Sequence, residues 1–124
     1  MTRYLISFND GAMDHIPAED LPEVGKDAHA VIQEAVNAGV FVAGAGLQRQ
    51  RASIVGPDGL VVDGPYPETK EVIGGFVVLD LASKEEALSW AAKIARACRS
   101  AQEVRELMDD PEMDAMLRET ARRE

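Results

Sequence analysis

The chain has 124 residues, 22 acidic against 13 basic, and a formal net charge of −9. That length suits one ordinary domain with a single core, and the acidity argues against nucleic acid or an anionic membrane surface, since both need a basic patch. The only cysteine, Cys98, cannot form an internal disulfide, Met1-Thr2-Arg3-Tyr4 has no apolar signal core, and no run approaches the ~20 apolar residues of a membrane span, which together predict a cytoplasmic protein.

Arg3 to Phe8 alternates, with Tyr4, Ile6 and Phe8 on one face and Leu5 and Ser7 on the other, and predicts the first strand. Asn9-Asp10-Gly11 ends it. Residues Ala12 to Lys26 hold Pro17, Pro22 and Gly25 and read as a loop with one helical turn. Ala28, Ile32, Ala35 and Val36 recur at helical spacing and predict a helix over Lys26 to Ala38, stopped by Gly39. Val40 to Ala43 reads as a short apolar strand. Gly44-Ala45-Gly46 reads as a turn, because it has neither a phosphate-loop lysine nor a dinucleotide pattern. Ala52 to Val55 and Leu60 to Val62 predict a hairpin closed at Pro57-Asp58-Gly59.

The strongest strand signal runs from about Gly75 to Leu81. Ser83-Lys84-Glu85-Glu86 is a capping box, opening a helix to about Ala97 with Ala87, Ala91, Ile94 and Cys98 along its apolar face, flanked by Trp90 and Leu88. Gln102 to Leu107 carries few apolar side chains, so it is expected at a sheet edge. Asp110-Pro111 is a helix start, and Met113, Met116 and Leu117 form a short stripe that must cover its own domain or a second copy.

The order is β-α-β, a hairpin, then β-α-β with a helical tail at about 108–124. Residues 1–124 form one domain, of the α+β class, with helices on one face of an antiparallel sheet. Two helices cover one face. The other would present Leu5, Phe76 and Val78, interrupted by Asp80, where an open face should be polar. The expected answer is a two-fold homodimer.

The least generic run is Asp63-Gly64-Pro65-Tyr66-Pro67-Glu68-Thr69-Lys70-Glu71, followed by Gly74-Gly75-Phe76. Pro65 and Pro67 hold the residues before them out of the helical region, which makes the run stiff and irregular. It resembles the signature of the DGPF branch of the YCII-related proteins, with Tyr66 where that branch usually has Phe. The resemblance extends to Ala38-Gly39-Val40, Gly44-x-Gly46-Leu47, Trp90-Ala91-Ala92 and Glu103-Val104-Arg105. It implies a ferredoxin-like fold that dimerises as an α-β barrel, in a branch without a settled activity.

Catalytic YCII relatives pair a histidine of the first helix with an aspartate of the second. Here His29 falls one position from the expected place, which Ala28 takes. The region after Trp90 holds Ala91, Ala92, Lys93 and Ile94, with no aspartate. The dyad is therefore not carried over, and His29 remains a weak catalytic candidate flanking the core. His15 sits beside Asp14 in a proline-bounded loop. Two histidines and one cysteine show no metal-ligand spacing, so neither a metal nor a cofactor is expected. Asp63, Tyr66, Thr69, Lys70 and Glu71, with Arg3, Tyr4 and Arg105 from neighbouring strands, are candidates to grip a small polar molecule in an inter-subunit cleft. Two functions stay open. One is a homodimer that binds an unidentified small molecule. The other is an enzyme of proton-transfer or lyase type, as in catalytic YCII relatives.

Overall fold

The alternating run at the N-terminus forms β1 (Thr2–Asn9) and the long apolar run forms β5 (Ile73–Leu81) in a computed structural model that describes residues 1–48, 52–63 and 73–123. These two are the longest strands, and they take the middle of a four-stranded sheet. The glycine-bearing β2 (Phe41–Gly46) and the charged β6 (Glu103–Glu106) take its edges, giving the order β2-β5-β1-β6. Every pairing is antiparallel. Helix α1 (Leu21–Asn37) connects β1 to β2, and α2 (Lys84–Cys98) connects β5 to β6. This is a ferredoxin-like α+β arrangement. A separate hairpin of β3 (Ser53–Val55) and β4 (Val61–Asp63) lies between β2 and β5 in sequence, and α3 (Pro111–Arg123) follows β6.

Local sequence signals set the helix ends. The Ser83 hydroxyl accepts from the Glu86 N–H at 3.2 Å, and Glu86 Oε2 accepts from the Ala82 N–H at 3.1 Å, so the capping box satisfies two free donors. Gly39 stops α1 at φ +75, and the Met113 N–H donates to Asp110 at the start of α3. Helix α1 starts earlier than the sequence predicts. Pro22 falls in its first turn, where the missing N–H has no partner to lose, so the proline opens the helix instead of blocking it.

Tyr4, Ile6, Leu79 and Leu81 pack on Ala35 of α1 and on Ala87, Ala91, Ile94 and Cys98 of α2. Ile6, Leu79 and Leu81 are at most 1 % exposed, and burying each contributes about 1.5–3 kcal/mol. The stripe of α1 is rotated from the predicted one. Val24 and Ala35 are buried and Val31 is half-buried, while Val36 is exposed. Ion pairs at the surface link the two helices, Lys93 to Glu34 at 3.3 Å and Arg99 to Asp27 at 2.9 Å.

Gly44-Ala45-Gly46 is strand, not the expected turn. At Gly44 a Cβ would stand 2.9 Å from both the Phe76 carbonyl oxygen and Val77 Cγ1. The glycine is needed for a close approach between strands, which in sequence looks the same as a turn signal.

The register puts Leu5, Phe76 and Val78 on the face away from the helices, with Ala43 and Ala45 beside them. Arg3, Ser7, Asp80, Glu103 and Arg105 share that face, so polar groups frame a short apolar strip. Ile54, Val55, Leu60, Val61 and Val62 of the hairpin region are each more than half exposed, as are Met113, Met116 and Leu117 of α3. The tail's apolar stripe is therefore left largely exposed. Among the described residues, no helix is long and apolar enough to cross a membrane.

Candidate functional site

Three cross-strand rows run across the helix-facing side of β2, β5 and β1. The first is Phe41, Leu79 and Tyr4. The second is Gly44, Val77 and Ile6, and the third is Gly46, Gly75 and Phe8. Side-chain volume falls from the first row to the third, above all on β2. The helices do not sink to fill the gap, and a cavity of about 270 Å³ remains between α1 and the sheet. Its inner end is closed by Ile6, Ile94 and Cys98, all at most 8 % exposed. Its outer wall includes the exposed residues His29, Gly44, Ala45 and Gly46, which form a mouth on the β2 side.

The Phe8 ring shapes the floor. It lies over Gly75, where a Cβ would come within 2.6 Å of two ring carbons. Gly74 is equally constrained, with Asp10 Cα 2.9 Å from its missing Cβ. The Gly74-Gly75 pair thus lets the ring lie flat against the sheet.

The walls are mainly apolar, with three polar groups. His29 is exposed and reaches the cavity wall. No hydrogen bond joins it to a carboxylate among the described residues, so nothing there fixes its tautomer. Gln102 donates from Nε2 to the Ser100 carbonyl and hydroxyl oxygens, both at 3.3 Å, which leaves its Oε1 as an acceptor. Burial pushes the Cys98 thiol up, against a smaller opposite pull from Arg99. At neutral pH Cys98 is a protonated, weakly donating apolar group, not a nucleophile. Such a cavity suits a compact organic molecule with one or two polar substituents.

Of the expected site residues that the structure describes, Tyr4, Arg3, Arg105 and Asp63 lie outside this cavity. Tyr4 is 4 % exposed in the core cluster, and its phenol is raised by burial and by the Glu106 carboxylate, which accepts its hydroxyl, with a smaller push from Glu85. Arg3 and Arg105 are on the opposite face of the sheet, where Arg3 faces Asp114 of α3 at 3.9 Å and Arg105 faces Glu103 at 3.9 Å. Asp63 ends β4 and accepts the Ser53 hydroxyl at 2.5 Å. Tyr66, Thr69, Lys70 and Glu71 lie outside the described residues. The structure brings His29 together with Gln102, Cys98, Gly44 and Gly46 around the cavity. Of these only Cys98 and His29 drew notice in the sequence as single residues. Gly44 and Gly46 carried a signal that was read as a turn.

A second hollow lies at the start of α1, between His15, Asp20, Glu23 and Arg99. Arg99 is already held there by Asp27 and by the Ala97 carbonyl. Among the described residues, no three His, Cys, Asp or Glu side chains gather as a metal site.

A 5-chloro-2-hydroxyhydroquinone dehydrochlorinase from Burkholderia phenoliruptrix AC1100, solved with 2,5-dihydroxybenzoquinone, is similar over 87% of this chain and 95% of that one, at 14% identity and a TM-score of 0.49. The uncharacterized protein R00369 of Rhizobium meliloti (strain 1021) is 47% identical over 38 residues. That match spans 31% of the relative's length. The YCII-related domain matches residues 4–111, and the chain belongs to the YCII-related family.

Proposed function

We propose that this protein binds a small, mainly apolar organic molecule in the cavity under α1, with His29 and Gln102 as its polar contacts. The observation that supports this most is the hollow left where the second and third rows of the sheet fail to close against the helices. At about 270 Å³ it falls just below the roughly 300–1,000 Å³ of pockets for drug-sized ligands, so the ligand is compact, of one or two rings. The walls move the expected ligand from polar to mainly apolar.

His29 in the wall also favours the second reading, proton transfer on the bound molecule. The lack of a carboxylate bonded to it among the described residues favours binding alone. Titration with 1-naphthol as probe separates the outcomes. Saturable binding at one site per chain, weakened several-fold in His29→Ala, supports the reading. No binding to the wild-type protein overturns it.

The working unit in this reading is a homodimer, with the second copy seated on the Leu5, Phe76 and Val78 strip. The exposed hairpin and the α3 stripe offer further apolar area to the same partner. A monomer mass in sedimentation at micromolar concentration would contradict it. The run from Asp63 to Glu71 supports placing the chain in the DGPF branch of its family.

A further inference from the structure

Gly44 and Gly46 line the cavity, and Gly75 pairs with Gly46 beneath the Phe8 ring, but the three are not glycine for the same reason. Gly44 and Gly75 have no room for a Cβ, which would meet Val77 and the Phe76 carbonyl in one case and the Phe8 ring in the other. At Gly46 a Cβ would meet nothing within 4 Å among the described residues. Nor does its backbone require glycine, since the positive-φ glycines among the described residues are Gly11, Gly39 and Gly59. Glycine inside a strand weakens it, because it adds backbone entropy to the unfolded chain and packs nothing. So among the described residues Gly46 carries a cost that neither its conformation nor its packing explains.

Position 46 explains it. Gly46 pairs with Gly75, which pairs with Phe8, so its missing side chain falls on the helix-facing side. It is exposed, it lies on an edge strand, and it belongs to the cavity wall. That places it at the mouth. We infer that Gly46 is a specificity-determining residue that sets how large a molecule the cavity admits, an inference that rests on the binding reading above. A methyl group there narrows the entrance, and a branched side chain closes it. The open space means that either substitution fits the strand without moving a neighbour among the described residues, and valine suits an extended backbone better than glycine does.

The test compares wild type with Gly46→Ala and Gly46→Val, using phenol and 1-naphthol as probes, with binding read by calorimetry and folding by thermal midpoint. Wild type binds both probes. Gly46→Ala keeps phenol within about threefold and loses at least tenfold in 1-naphthol affinity. Gly46→Val loses both, and neither variant melts below wild type. If both variants bind both probes as wild type does, Gly46 is not the size filter, although the binding reading stands. If wild type binds neither probe, the binding reading itself fails. A clear fall in midpoint for Gly46→Ala would show that glycine is required structurally, and that overturns the inference. Should Gly46→Val fail to fold, the alanine variant decides alone.

Discussion

The two ends of one helix–sheet layer differ in a single respect. At one end Tyr4 and Leu79 are 4 % and 0 % exposed and close against α1 and α2. At the other, Gly46 and Gly75 occupy the corresponding places on β2 and β5, and Phe8 alone offers a large side chain. The sheet, its register and its two helices continue through both ends. What changes is volume, and with it the role of the region. The filled end stabilises the fold, and the hollow end leaves room for a ligand.

Leu79→Ala at the filled end should show the largest effect. Leu79 is fully buried, and its truncation costs about 2–5 kcal/mol, readable as a lowered midpoint in urea. A loss under 1 kcal/mol would mean that the filled end does not carry the fold. Gly75→Ala at the hollow end should come next. The Phe8 ring must leave its place to admit the methyl, at about 1–3 kcal/mol, and probe binding in the cavity should fall with it. If binding survives unchanged, the ring is not part of the floor.

Ser83→Ala lies outside both ends and serves as the contrast. It removes the acceptor for the Glu86 N–H, costs about 1 kcal/mol, and should leave probe affinity unchanged. A change in affinity would tie the cavity to helix α2 as a whole. The smallest effect concerns Tyr4. Its phenol is raised above 10.0 by burial and Glu106. The sign follows from the neutral form being favoured in the fold. The stabilisation is present below the ordinary phenol pKa and is lost as pH rises through the folded one. Glu106→Gln should bring the titration of Tyr4, followed by ultraviolet absorbance, down toward its ordinary range. An unchanged titration would leave burial and the smaller push from Glu85 as the causes.

Much of the fold was legible in the sequence because its signals are local. Alternation marked β1, Ser83 to Glu86 marked the start of α2, Gly39 marked the end of α1, and Asp110-Pro111 marked α3. The edge position of β6 followed from its charges. The start of α1 was missed because Pro22 has opposite meanings inside a helix and in its first turn. The strand at Gly44 to Gly46 was missed because Gly44 answers to Val77 and Phe76, some thirty residues away in sequence. The cavity was illegible for a related reason. It consists of side chains that are absent, and their absences line up only once the register of three strands is known. His29 was visible as a flanking residue, but its neighbours Gln102 and Cys98 are brought to it only by the packing of α2.

The central claim is that a compact ligand sits between α1 and the sheet. Intermolecular nuclear Overhauser effects between bound 1-naphthol and the protein's methyl groups test it most directly. The account predicts contacts to Ile6, Val31, Ile32, Val77 and Ile94, which line the cavity. Contacts confined to Ile54 and Val62 of the hairpin, or to Met113 and Leu117 of α3, would contradict it.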